Sequence, residues 1–585
     1  MPLRSLLPLP PLSRYPARDL PADVVAAVGV CVLTVPQALA YATIAGLPPA
    51  MGLYAAAIPT IVGSLFRSSR HVIAGPTNAL SLLVGAAVAT GLGGDPVGVA
   101  LTLALLVGVM QLAAGLLRLG SLVDYISGPV VLGYITGAGV LIGVGQLHNA
   151  TGTSGPRGSL LATLEGWLPA ISDASAIALG MTVGTIVVIF AIRALGRRLG
   201  QRFPGAITAM GLALGANMLL DLESHGLQVL SDLAPIPNGL PAPVLPDLST
   251  VGVLLPVAVA CTVLSLVESS AVARATASRT GQRLDASTEF AGQGLANIAA
   301  GLFGGYPISG SLARTALNER LGARSRIAGI LSGLLMIGVL LSLGAVLDHT
   351  PIASLAGLLL VVAWDLLDRP RIVQTLRASR SDALAFVATT VATWTLSLDM
   401  AIYLGVGVSV VLFLRRARVL TLREMIVDDQ GRWQECPLGQ DCSPGRLPGV
   451  RVLQVEGPLF FGASGELVAS LDAVLHTDGV HAVVLRLKRA QGMDVTIAHA
   501  LAEAAQRAEA DGRRLILVGL DDRMVGVLNR SGAAASFPTE HLIRMSPTRF
   551  AALGLACDIA EAFATEARQP STVTPVPPAE AGDDA

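Results

Sequence analysis

The sequence predicts an α-helical, polytopic membrane protein of about fourteen spans in two halves, followed by a small cytoplasmic α/β domain. Three observations predict it. The 585 residues are 52% hydrophobic and 14% charged, with a mean hydropathy of +0.64, too apolar for a soluble fold. Arginines collect in alternate loops. Two polar segments broken by Gly and Pro, HVIAGPTNALSL (71–82) and YPISGSLARTAL (306–317), interrupt matching places in the two halves.

Apolar stretches of ~17–25 residues suit a bilayer. They run at about 23–40, 50–66, 77–91, 97–117, 128–145 and 175–192, and the first half closes near 205–220. The second half offers about 252–270, 287–303, 311–319, 324–344, 354–368, 381–396 and 398–414. Short cytoplasmic loops should be rich in Arg. Arg4, Arg14 and Arg18 precede the first span; Arg67, Arg70, Arg118 and the clusters at 193–202, 274–283, 320–326, 369–380 and 415–418 follow every even one. The alternate loops carry Arg157 alone. The count is therefore even and both termini are expected to be cytoplasmic.

The first 20 residues lack the apolar core and small-residue site of a cleavable signal. One lysine against 39 arginines suggests a GC-rich bacterial genome, so the expected address is the inner membrane. Cys31 and Cys261 fall in spans, whereas Cys436, Cys442 and Cys557 fall on the predicted cytoplasmic side, where thiols stay reduced. C-x5-C without a nearby His is poor zinc spacing, so neither metal nor cofactor is expected.

The predicted organisation is a cytoplasmic N-terminal segment (1–20), a transport domain (21–418, halves at about 21–225 and 250–418) and a charged linker (419–449). An α/β domain (450–567) and a disordered tail (568–585) follow. The strand-like runs VRVLQVEG (450–457), HAVVLRL (481–487) and RLILVGL (514–520) alternate with helical stretches at 495–511 and 522–531.

The two interrupted segments read as facing half-helices. A helix N-terminus offers unpaired N–H groups and the positive end of a dipole, so two of them meeting at mid-membrane attract an anion. Ser309, Gly310 and Ser311 suit a helix start and place Arg314 about one turn inside, with a free anion as its partner. Thr77 and Asn78, behind Gly75 and Pro76, would cap the opposing half-helix, with Pro at or next to its first position. Gln37 and Tyr41 sit four apart behind Pro36 and share a helix face that lines the site; alternatively Tyr41 marks the membrane interface. Glu268 is the one carboxylate in its span, where a mid-bilayer charge costs at least ~2.5 kcal/mol, so it should face a cavity. It either carries a coupled proton or pairs structurally with Arg314. GYITGAGVLIGVG (133–145) has the small-xxx-small spacing of close helix packing.

These motifs resemble those of the SulP family, the sulfate permease group that includes prestin-like proteins. VPQALAYATIAGLPPAMGLY (35–54) is similar to its first-span signature, SRHVIAGPTNA (69–79) to its third-span entry and GGYPISGSLARTALN (304–318) to its tenth-span entry. The C-terminal domain resembles a STAS domain. The resemblance implies a 7+7 inverted repeat with core and gate domains, elevator-like motion and a homodimer. It also implies an anion site on spans one, three, eight and ten, lined by Gln37, Tyr41, Thr77, Glu268, Ser311, Ala313 and Arg314, with backbone N–H groups around Asn78 and Leu312. Two positions depart from the family. Many relatives have Ser where this chain has Ala313, which loses a hydroxyl, and the phosphorylation loop D-S-S-G corresponds to Asp494-Val495-Thr496-Ile497, where Val495 cannot accept phosphate.

The reading is a secondary transporter of a small anion such as bicarbonate, chloride, sulfate or a dicarboxylate, with H+ (or Na+, or a counter-anion) as coupling ion. Its partners are substrate, coupling ion, lipid and a second copy of the chain, with no nucleic acid. The alternatives are a nucleobase-type permease on the same fold, against which Arg314 argues, and a membrane sensor signalling through the STAS domain. No phosphate-binding G-x-x-x-x-G-K-[ST] loop and no nucleophile with its base is present, so neither an ATP-driven pump nor an enzyme is expected.

Overall fold

The computed structural model describes residues 15–91, 94–121, 126–155, 160–199, 205–237, 239, 243, 246, 248–417, 420–428, 430–440, 446–548 and 550–568. Arg4, Arg14, Arg157, Arg202, Arg418, Cys442 and the expected tail from 569 lie outside the described residues. The chain divides into two compact units between Val410 and Val411.

The first unit opens with α1 (Leu20–Ile44), α2 (Pro49–Ala56), α3 (Ile58–Phe66), strand β1 (Ala74–Gly75), α4 (Asn78–Ala89) and α5 (Pro96–Leu116). Then come α6 (Gly128–Gly145), α7 (Leu147–Thr151), α8 (Leu160–Ala170), α9 (Ala176–Leu199) and α10 (Gly205–Leu220). The second half runs through α11 (Val251–Thr280), α12 (Ala286–Leu302), β2 (Ser309–Gly310), α13 (Leu312–Arg320) and α14 (Ile327–Ser342). It ends with α15 (Gly344–Asp348), α16 (Ile352–Leu366), α17 (Arg369–Ala378), α18 (Arg380–Thr395) and α19 (Leu398–Ala417).

Helices stand where the hydropathy pattern places spans. Among the described residues, seven helical stretches are individually long and apolar enough to cross a bilayer, including α1, α5, α9 and α11. The 12 residues of α4 and the 9 of α13 reach only ~18 and ~14 Å, so each covers about half of the hydrocarbon layer. The largest departure in length is α11, which continues to Thr280 and carries Arg274 and Arg279 where a loop was expected. Nothing in the segment breaks a helix before Gly281, whose left-handed backbone (φ +68°) ends it.

Packing sorts these helices into two groups: α1 to α5 with α11 to α14, and α6, α9 and α10 with α16 and α18. In the first group α5 crosses α12 at backbone distance. A Cβ on Gly108 would lie 2.5 Å from the Ile298 nitrogen, and one on Gly115 would lie 2.6 Å from that of Ala291. In the second, the glycine stripe of α6 packs as its spacing predicts. Gly133 meets the Phe386 carbonyl of α18, and Gly139 meets Leu366 of α16.

The second unit is a six-stranded sheet in the order β4-β3-β5-β6-β7-β8. Its strands are β3 (Thr421–Val427), β4 (Trp433–Pro437), β5 (Val450–Pro458), β6 (Ala482–Gln491), β7 (Arg514–Leu520) and β8 (Leu542–Arg544). β5 to β8 are parallel, while β3 pairs antiparallel with both β4 and β5. Alternate residues serve opposite faces. Leu453, Val455, Val483 and Leu485 pack with α20 (Ser464–Leu475) and α21 (Val495–Ala510), whereas Val452, Val484 and Ile516 pack with α23 (Ala551–Arg568). Between β7 and β8 lies α22 (Asp522–Arg530).

Part of the stretch expected as a linker is sheet. Its charge does not mark solvent exposure: Glu424 on β3 is 1% exposed and bound by Arg446 (3.0 Å) and Arg451. A buried, paired carboxylate inside a strand imitates a hydrophilic linker in composition. Cys436 on β4 is disulfide-bonded, against the expectation of a reduced thiol, which rested on compartment alone. Cys557 is free, and burial pushes its thiol up to about 12, so it stays protonated.

Candidate anion-binding site

The two interrupted segments meet. β1 and β2 pair antiparallel, Ala74 opposite Gly310 and Gly75 opposite Ser309. The ladder extends beyond them: Ser311 N–H donates to the Ile73 carbonyl (2.9 Å), and Ile73 N–H donates to Thr315 Oγ1 (3.0 Å). Each strand runs directly into a half-helix, so α4 and α13 start from opposite ends of one short crossing with their N-termini brought together. α1 and α11 pack against both half-helices.

By helix geometry the first N–H groups of each half-helix lack intrahelical partners. On α13, Ser311 is the N-cap and its hydroxyl accepts weakly from Arg314 N–H (3.5 Å). Leu312 is 60% exposed and Ala313 is exposed, so the first turn of α13 is not covered by side chains there. On α4, Thr77 occupies the N-cap but does not cap; its hydroxyl donates instead to Glu268 Oε2 (3.1 Å). Asn78 Oδ1 accepts from Ala79 N–H (2.9 Å), which leaves the Asn78 and Leu80 amides free of intrahelical bonds. Pro76 precedes the cap rather than opening the helix, since Thr77 takes the extended conformation before Asn78 turns helical.

Arg314 is fully buried beneath this crossing. Its Nη2 donates to the Pro76 carbonyl (2.6 Å), so one guanidinium bond ties the base of α13 to the entry of α4, and Nε has no partner. No ion pair joins Arg314 to Glu268 among the described residues; Glu268 is half-buried and holds Thr77 instead. Gly75 makes room for the guanidinium: a Cβ there would lie 2.5 Å from Arg314 Nη1, and its φ of +153° disfavours any side chain. Gly75→Ala is expected to cut uptake by about a hundredfold by displacing the guanidinium. Liposome uptake of the monodisperse variant checks this, and near-normal rates would mean that Arg314 moves aside freely.

Gln37 and Tyr41 are both buried on α1, which continues through Pro36. Tyr41 lies within electrostatic reach of Arg314 and Glu268, and Gln37 Oε1 has no partner. The structure thus gathers Gln37, Tyr41, Thr77, Asn78, Glu268, Ser311, Leu312, Ala313 and Arg314 on four elements, α1 and α11 each packing against both α4 and α13.

Sequence reasoning missed what holds the crossing in place. The Ile308 carbonyl accepts from Gln293 Nε2 (2.7 Å), Asn297 Nδ2 (3.0 Å) and Ser265 Oγ (2.9 Å), and Ile308 N–H donates to Asn297 Oδ1 (2.7 Å). Gln111 of α5 accepts from Asn297 (2.8 Å), and Thr60 Oγ1 donates to the Ala74 carbonyl (2.7 Å). Amide side chains four apart on apolar α12 were the available signal, because such groups need partners in lipid.

The Sulfate permease family model matches residues 20–389, and the STAS domain model matches residues 445–548. The chain belongs to the sulfate permease family. A probable sulfate transporter of Mycobacterium tuberculosis is 34% identical over 407 residues, covering 69% of this chain and 71% of its own. The murine solute carrier 26 family member A9 anion transporter, solved in the inward-facing state, superposes with a TM-score of 0.85 at 21% identity. That match covers 96% of this chain and 94% of the other. The transmembrane domain of the cyanobacterial bicarbonate transporter BicA gives 0.60 at 25% identity over 66% of this chain and 98% of its own. As a sulfate permease family member with a STAS domain, the chain is a polytopic anion transporter and not an enzyme.

In the STAS domain, Asp494 is a structural cap. Its Oδ1 accepts from Ile497 N–H (2.9 Å) and its Oδ2 from Phe461 N–H (2.6 Å), while Val495 and Thr496 are exposed.

Proposed function

We propose that the chain is a secondary active transporter of a small anion, sulfate, bicarbonate, chloride or a dicarboxylate, that binds between the N-termini of α4 and α13. The observation that carries this reading is the paired crossing of β1 and β2, which points two sets of unpaired amides at one place above a buried guanidinium. Amides of Asn78, Leu80, Leu312 and Ala313 hold the anion, and Arg314 acts mainly through its field. With alanine at 313 only the backbone donor remains at that position. Gln37 and Tyr41 close the site from α1.

The coupling ion in this proposal is a proton carried by Glu268, with Thr77 as its hydrogen-bond partner. A fourteen-span inverted repeat is supported by matching offsets. Thr77 and Ser311 are 234 positions apart, and the starts of α1 and α11, like those of α5 and α14, are 231 apart. The two packing groups are the moving and static parts of an elevator, in a homodimer seated in the inner membrane with both termini cytoplasmic and the STAS domain as a docking and regulatory module.

Uptake of labelled sulfate, bicarbonate, chloride and a dicarboxylate into liposomes holding the purified protein, with and without a pH or sodium gradient, tests the proposal. At least one anion should accumulate, faster with acid outside. Binding without accumulation would instead describe a sensor.

A further inference from the structure

A second basic feature lies away from the crossing. The connections α3–α4, α11–α12 and α13–α14 enclose a cleft of about 420 Å³ lined by Arg70, His71, Gln282, Arg283 and Arg326 together with Ser68. No carboxylate lines it among the described residues.

Its walls are built in advance. Gln282 Oε1 accepts from Arg70 N–H (3.1 Å) while its Nε2 donates to the Ser68 carbonyl (2.8 Å), clamping the first connection to the second. Arg326 Nη2 reaches the same Ser68 carbonyl (3.3 Å) from the third. Of the nearby acids, Glu289, 3% exposed, accepts from Ser68 Oγ and Ser69 N–H and lies within electrostatic reach of Arg67 and Arg326, while Asp285 caps α12. The Arg70 and Arg283 side chains stay exposed.

Two buried groups of the first connection are short of hydrogen-bond partners, and one of them, His71, lines the cleft. His71 is 8% exposed, its Nε2 lies 3.0 Å from the Ala323 carbonyl, and its Nδ1 has no partner. Arg67, directly before Ser68, is fully buried, and none of its three guanidinium nitrogens is hydrogen-bonded. Buried Glu289 offsets the charge of Arg67, which leaves the three lining arginines as the excess. An anion in the cleft would balance this excess, whereas water would only screen it.

We propose that this cleft is a second anion site, distinct from the transport site, that takes a phosphoryl group. Several guanidiniums converging from three connections match the oxygens of a phosphate better than a spherical halide, because each presents a planar fork of donors. The same chemistry is offered by an anionic phospholipid headgroup and by a soluble phosphorylated molecule. The site also touches the transport machinery: the His71 carbonyl accepts from Asn318 Nδ2 (2.9 Å) on α13, and β1 begins three residues later. A bound phosphoryl group therefore braces the segment that carries Gly75.

The test has two arms on the full chain. Inorganic pyrophosphate is titrated calorimetrically into protein in neutral detergent, and thermal stability is compared in nanodiscs of phosphatidylcholine with and without phosphatidylglycerol. The wild type should respond in at least one arm, a pyrophosphate response identifying a soluble ligand and a lipid response alone identifying a headgroup. The double variant Arg70→Gln/Arg283→Gln should weaken that response at least about tenfold, and Arg283→Gln alone serves if the double variant is not monodisperse. Arg314→Ala should retain the response, which separates this proposal from the transport reading. No response in either arm, an undiminished response in the arginine variants, or its loss in Arg314→Ala overturns the proposal.

Discussion

Arg314→Ala is expected to abolish anion uptake while the protein still inserts and remains monodisperse. The side chain is fully buried and is linked to Pro76 across the crossing. A unit charge ~5 Å from a bound anion contributes about 3 kcal/mol at an effective dielectric of ~20. That is more than a hundredfold in affinity. The substitution also removes the bond that ties the base of α13 to the entry of α4, so the two sets of amides lose their common anchor. Arg314→Lys separates these contributions. It keeps the charge but not the planar fork that fills the space over Gly75, and uptake should fall to an intermediate level. Initial uptake rates across a range of anion concentrations, measured on all three proteins, provide the check. Wild-type transport by the alanine variant would remove Arg314 from the site.

Glu268→Gln is expected to leave an anion-binding protein whose uptake no longer responds to a pH gradient. Glutamine retains an oxygen that can accept from Thr77, so the local hydrogen bond and the fold of α11 should persist. What it cannot do is gain and lose a proton. In the wild type, acid outside should accelerate uptake; in the variant, rates with and without the gradient should coincide. Because Glu268 is not paired with Arg314 among the described residues, the substitution leaves no bare counter-charge behind, and a general collapse of folding is not the expected cause of the change. A variant as proton-dependent as the wild type would assign the coupling elsewhere.

Much of this architecture was legible in the chain because the bilayer imposes a severe grammar. A span must be long and apolar, every backbone group in lipid must be paired, and a break is tolerated only where it lines a cavity. The breaks at Gly75-Pro76 and Ser309-Gly310 therefore announce themselves, and so does an arginine one turn beyond the second. The second unit was less transparent. Its strands β5, β6 and β7 are apolar runs, but β3 and β4 hide among charges such as Glu424, whose partners Arg446 and Arg451 satisfy it inside the sheet.

By itself the sequence determined which stretches are apolar enough for lipid, where two helices are broken, and which polar residues lie at the breaks. Only the tertiary structure decided how those residues are used. It sends the Thr77 hydroxyl to Glu268 instead of a helix cap, the Arg314 guanidinium to the Pro76 carbonyl, and Asn297 with Gln293 to the Ile308 backbone. The reason is physical: hydropathy and helix-breaking are local properties of consecutive residues, whereas these hydrogen bonds depend on which donors and acceptors folding places within about 3 Å of each other, in the first two cases from opposite halves of the domain.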